Sequence, residues 1–163
     1  MTDTTTNRST TRLFAEAIDA LERTGSTEQL VDLYAPDCAL GNVLTGERFH
    51  GHDGVRAFWT EYAEELGDAR SEFAVMSADE AGAVLEWTTE VRGDDGTDDY
   101  RGATVLELDA GNVVRSMAYF DPSRLARLLD DVGAPRSTDD DQGSRSGWSG
   151  PSEPGHEPTT ETG

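Results

Sequence analysis

The hydrophobic positions of this chain keep two different periods. Over residues 11–67 most apolar side chains recur at helical spacing, interrupted by one short stretch of strand character; over 70–120 they alternate. Leu13, Phe14, Ala17, Ile18 and Leu21 form one stripe and predict an amphipathic helix from Thr11 that stops at Gly25. Ser26 and Gln29 have capping-box spacing and predict a short second helix, with Leu30, Leu33 and Tyr34 on its apolar face and Pro36 ending it. Residues 38–44 read as a strand, Thr45-Gly46 as a turn and 47–50 as a short partner strand. Gly51-His52-Asp53-Gly54 opens a third helix, which buries Val55, Phe58, Trp59, Tyr62 and Leu66 and closes at Gly67.

The second period fills the rest of the folded region. Strands are predicted over 70–77, 83–92, 99–108 and 113–120. Gly93-Asp94-Asp95-Gly96 is a strong hairpin signal between the second and third of these. In 83–92 the residues Leu85, Trp87, Thr89 and Val91 share one face and Val84, Glu86, Thr88 and Glu90 the other. A short helix over 124–130 follows Asp121-Pro122-Ser123. The organisation expected is a flexible, Thr-rich lead-in over 1–10, one folded domain over 11–130, and a disordered acidic Gly/Ser/Pro tail over 131–163 in which Trp148 stands alone. Helices followed by a run of antiparallel strands give an α+β fold, three helices on one face of a curved, mostly antiparallel sheet, with a cone-shaped cavity between them.

Charge narrows the partners. The 163-residue chain carries a net charge of −20, and all 13 of its basic residues are Arg. Acidic residues occur in every segment, the pattern of a surface that stays hydrated in concentrated salt, so a salt-adapted, halophile-type protein is expected. Nucleic acid is excluded as an expected partner because phosphate binding needs a basic patch. A single cysteine, Cys38, precludes an internal disulfide and reads as a small buried hydrophobe. No apolar leader and no membrane-length run appears, so a cytoplasmic location without membrane contact is expected.

The wording of four stretches, LVDLYAPDCAL, FHGHDGVRAFW, AVLEWTTEV and YRGATVLELDAGNVVRSMAYFDP, resembles the SnoaL-like branch of the NTF2-like superfamily. The resemblance spans about residues 13–128. It implies a conical α+β barrel whose inner sheet face lines a pocket and whose outer face pairs in a homodimer. The superfamily includes ketosteroid isomerases, polyketide cyclases and limonene epoxide hydrolases. An apolar small-molecule ligand is implied, with isomerase, cyclase or hydrolase chemistry; a non-catalytic dimeric carrier or scaffold is the alternative. No cofactor and no metal is expected.

Carried over position by position, the isomerases' base falls on Asn42 and their two oxyanion donors on Ile18 and Thr104. The hydrolases' Arg/Asp strand pair falls on Trp87 and Thr89, and only their second acid, at Asp121, is matched. The candidate acid–base groups are therefore Asp121 and His50, with His52 beside it. The other reading of Asp121 is a helix cap. The expected pocket wall is Phe14, Ile18, Tyr34, Asn42, Phe58, Trp59, Tyr62, Trp87, Thr89, Thr104 and Tyr119.

Overall fold

The computed structural model describes residues 4–131. The elements in chain order are α1 (Thr4–Thr24), α2 (Glu28–Leu33), β1 (Tyr34–Asn42), β2 (Gly46–His50), α3 (Gly51–Leu66), β3 (Asp68–Ala78), β4 (Gly82–Gly93), β5 (Gly96–Asp109), β6 (Asn112–Phe120) and α4 (Pro122–Asp131). The six strands form one curved, unclosed sheet in the order β2-β1-β6-β5-β4-β3, antiparallel except where β1 runs parallel to β6. The fold is α+β, with helices packed on the concave face. The acidic tail and Trp148 lie outside the described residues.

The first helix starts at Thr4, so residues 4–10 are not a frayed lead-in. Polar side chains dock this segment. The Asn7 side-chain amide donates to the Asp79 and Glu80 carbonyls at 2.8 and 3.3 Å, and Thr10 Oγ1 donates to the Gly111 carbonyl at 2.8 Å. Asn7, Thr10 and Thr11 are buried by this docking, whereas Leu13, expected on the apolar stripe, is 49% exposed. Gly25 ends α1 with φ +82°, a left-handed conformation that suits glycine, and its N–H donates to the Leu21 carbonyl. The predicted capping box is not formed: Thr27 precedes α2 without a side-chain bond, and Ser26 Oγ accepts from the Glu28 N–H at 3.3 Å instead.

Two apolar clusters hold the layers together. The larger joins Phe14, Ile18 and Leu21 of α1, Val55, Phe58 and Trp59 of α3, and Leu40, Leu85, Leu106 and Val113 of the sheet. The smaller joins Leu66, Trp87, Val91 and Tyr100 to Leu125 and Leu128 of α4. α4 is fixed by the Arg124 guanidinium, which bonds the Asp98 carboxylate at 2.5 Å and the Asp99 carbonyl at 2.6 Å. Between these clusters the concave face is only partly filled.

Candidate functional site

The unfilled space is a cavity of about 260 Å³ bounded by α1, α3, α4 and the inner face of the sheet. Eight of its lining residues are aromatic, and most of their rings meet edge to face; Glu61 and Glu65 of α3 also border it. On the helical side Phe14 meets Trp59 at 6.2 Å, and Trp59 meets Phe58 at 5.0 Å and Tyr62 at 5.2 Å between centroids. On the sheet side Trp87 meets Tyr100 at 5.3 Å, and Tyr100 meets Phe120 at 5.6 Å. Each such pair adds about 0.5–1.5 kcal/mol beyond burial, so the walls are held rigid rather than free to collapse inward.

Polar groups reach the cavity at a few fixed points. The Trp87 indole N–H donates to Thr104 Oγ1 at 2.9 Å. Ser116 Oγ is 2.8 Å from the Tyr34 hydroxyl, to which the Trp59 indole N–H also donates at 3.4 Å. A third point joins Ser71 of β3, Thr89 of β4 and Tyr62 of α3. Ser71 and Thr89 are directly opposed in the strand register, so their side chains meet on the inner face, Oγ to Oγ1 at 2.7 Å.

Behind this third point stands Glu22, which sequence reasoning did not single out. Its carboxylate accepts the Ser71 N–H at 2.7 Å, the Ser71 hydroxyl at 2.5 Å and the Tyr62 hydroxyl at 2.7 Å. Burial raises its pKa above the ordinary 4.5, against the opposing pull of the bonds from Ser71 and Tyr62. Burial likewise pushes the Tyr62 and Tyr100 hydroxyls up, so both stay neutral. The folded protein holds the Glu22 proton to higher pH than the unfolded chain does. Its contribution to stability therefore falls as pH rises from about 4.5 through the raised value. The signal in the sequence was its position: Phe14, Ile18 and Glu22 are spaced four apart, which puts an acid on the buried stripe.

Of the residues expected in the wall, Phe14, Ile18, Asn42, Phe58, Trp59, Tyr62, Trp87, Thr89 and Thr104 border the cavity. Two do not. Tyr34 is the first residue of β1 rather than part of a helix, and it stands behind the wall, positioning Ser116 and Trp59. Tyr119 pairs with Ala103 on the outer sheet face and is 45% exposed, because its neighbours Ala118 and Phe120 are the ones that border the cavity. Asn42 holds the β1–β2 turn, its Oδ1 accepting the Leu44 and Thr45 N–H groups at 2.8 and 3.0 Å.

Neither expected acid–base residue borders the cavity. Asp121 is exposed and caps α4, with Oδ1 accepting the Ser123 N–H at 2.9 Å and the Arg124 N–H at 3.3 Å. His50 is exposed at the end of β2, and the His52 ring nitrogen Nε2 is 2.8 Å from the Tyr34 carbonyl oxygen. Among the described residues no three His, Cys, Asp or Glu side chains converge as metal ligands, and no helix is long and apolar enough to cross a membrane.

This geometry, helices over a curved sheet with a cavity beneath them, agrees with a match to the SnoaL-like domain over residues 12–116. The chain belongs to the SnoaL-like family. No curated protein matches the sequence. Solved structures share the fold. A provisionally assigned SnoaL-like polyketide cyclase from Jannaschia sp. CCS1 has a TM-score of 0.68 at 13% identity, covering 82% of this chain and 95% of its own. An LEH-like epoxide hydrolase from M. tuberculosis has a TM-score of 0.60 at 19% identity, covering 79% and 92%. A provisionally assigned ketosteroid isomerase from Kribbella flavida DSM 17836 has a TM-score of 0.58 at 24% identity, covering 74% and 82%. At these identities the likeness of this SnoaL-like protein to them is one of fold, and its chemistry has to be argued from its own cavity.

Proposed function

We propose that this SnoaL-like protein binds a compact, largely apolar small molecule in its cavity and acts on it by acid–base chemistry of the isomerase, cyclase or hydrolase kind. One observation carries the reading: an aromatic-walled cavity with convergent hydroxyls at Ser71, Thr89 and Tyr62. At about 260 Å³ the space lies just below the roughly 300 Å³ at which drug-sized sites begin, which favours a one- or two-ring molecule. A carrier without catalysis is the second reading. It draws support from the positions of Asp121 and His50 outside the cavity.

The test uses 2-naphthol, a two-ring fluorescent probe with one hydroxyl. Ala118 borders the cavity from β6, and Ala118→Phe would fill it without removing any side-chain hydrogen bond. Titration by fluorescence anisotropy is expected to give saturable binding to the wild type, weakened at least about tenfold in Ala118→Phe, the equivalent of about 1.4 kcal/mol. Equal affinity in the two proteins would place the probe elsewhere and remove the cavity reading.

The same proposal includes a homodimer through the outer sheet face. Val84, Val105 and Met117 lie side by side across β4, β5 and β6, next to the row Val75, Glu86, Ala103 and Tyr119. Val75 is 50%, Val84 43% and Tyr119 45% exposed, an apolar surface that a second copy would cover. Sedimentation velocity is expected to give a dimer for the wild type and a monomer for Val105→Glu, with an unchanged circular dichroism spectrum. A monomeric wild type at micromolar concentration would refute the pairing.

A further inference from the structure

The hydrogen bonds around Glu22 have a direction. Ser71 Oγ–H points to the Glu22 carboxylate at 2.5 Å, so its Oγ is free to accept from the Thr89 hydroxyl 2.7 Å away. Tyr62 donates to the same carboxylate at 2.7 Å. Glu22 does not border the cavity, but Ser71, Thr89 and Tyr62 do. A half-buried acid is thus joined to the ligand space through two hydroxyls that can each accept one proton and pass on another.

We infer that Glu22, Ser71 and Thr89 form a proton relay ending in the cavity, and that its ligand presents an oxygen there: an enol or phenol hydroxyl when Glu22 is ionised, a carbonyl when Glu22 is protonated. This rests on the cavity-binding reading and names the ligand's chemical class. The step balances without any further reactant. The ligand O–H bond breaks and its proton joins Thr89 Oγ1; the Thr89 proton moves to Ser71 Oγ; the Ser71 proton moves to a Glu22 carboxylate oxygen. The ligand keeps the electron pair as an enolate or phenolate, and the reverse sequence returns the proton. Glu22 is here a positioning residue, since within this cluster only Ser71, Thr89 and Tyr62 border the cavity.

The surroundings favour proton exchange over a fixed ion pair. Asp19 lies on the same helix and disfavours charge on Glu22. From α3 the neighbour is the Tyr62 hydroxyl, and from β5 Tyr100, which feels both Glu22 and Glu65. From β3 the Arg70 guanidinium bonds the Glu22 backbone carbonyl at 3.4 Å rather than its carboxylate. Among the described residues no arginine forms a salt bridge with this carboxylate. Burial keeps the proton available at higher pH than an ordinary glutamate would.

The test compares two probes of similar shape, 2-naphthol as hydroxyl donor and 1-tetralone as carbonyl acceptor, across the acid-to-neutral range, where neither probe ionises. In the wild type 2-naphthol is expected to bind more tightly as pH rises and 1-tetralone more tightly as it falls. Each change should be roughly threefold to tenfold, the worth of one hydrogen bond. Glu22→Gln can satisfy the same partners through its amide and should make both profiles flat. Ser71→Ala should also flatten them while Glu22, followed by its carboxyl carbon NMR shift, still titrates above the ordinary range. Parallel slopes for the two probes, or slopes that persist in Glu22→Gln, would overturn the relay and leave cavity binding intact. No saturable binding of either probe to the wild type would overturn both.

Discussion

Gly102→Val is expected to cost about 3 kcal/mol of stability and to abolish probe binding. Gly102 lies on β5 directly opposite Trp87 of β4, and the indole covers the space a side chain would need. A Cβ built there would stand 2.4 Å from the Tyr119 carbonyl oxygen and 2.6 Å from the Trp87 ring. The first contact is with sheet backbone and cannot be relieved by a rotamer change. The second could be relieved only by swinging Trp87 into the cavity, breaking its bond to Thr104 and its packing on Tyr100 and Phe120. Denaturant unfolding measures the loss directly. A change below about 1 kcal/mol, against the 1–3 kcal/mol typical of overpacking, would mean that the Trp87 wall is not rigid.

Phe14→Ala is expected to cost about 3 kcal/mol, the lower end of the range for losing a buried aromatic. Phe14 is 1% exposed and bridges α1 to Tyr34 and Trp59. One side of its ring already faces open cavity, so fewer contacts vanish than at a fully packed site. The same substitution enlarges the cavity, and bulkier naphthalene derivatives should then bind where the wild type excludes them. Wild-type unfolding midpoints in this variant would contradict the docking of α1 across the sheet.

The sheet was legible in the sequence because its information is local. Period-two alternation and the Gly93-Asp94-Asp95-Gly96 turn define the β4–β5 hairpin to within three residues at each strand end, and the opposed faces of Trp87 and Val84 follow from parity alone. The start of α1 was not legible, because a Thr-rich segment is helical here through contacts 72 and 101 residues away, at Asp79 and Gly111. Tyr34 was misplaced for a related reason: a six-residue helix passes straight into β1, and helical spacing still fits its last residues. Tyr119 was recoverable, since the parity that puts Ser116 and Ala118 inside puts Tyr119 outside. Glu22 was the hardest to find. A carboxylate in the last turn of an amphipathic helix reads as solvated until Ser71 and Tyr62 are known to close over it.

Intermolecular nuclear Overhauser effects from bound 2-naphthol report directly whether the ligand sits between the aromatic walls and beside the Glu22 cluster. Cross-peaks are expected to the methyl groups of Ile18, Leu66, Thr89 and Thr104, all of which border the cavity. Cross-peaks to Val84, Val105 and Met117 instead would put the probe on the outer sheet face and contradict that placement.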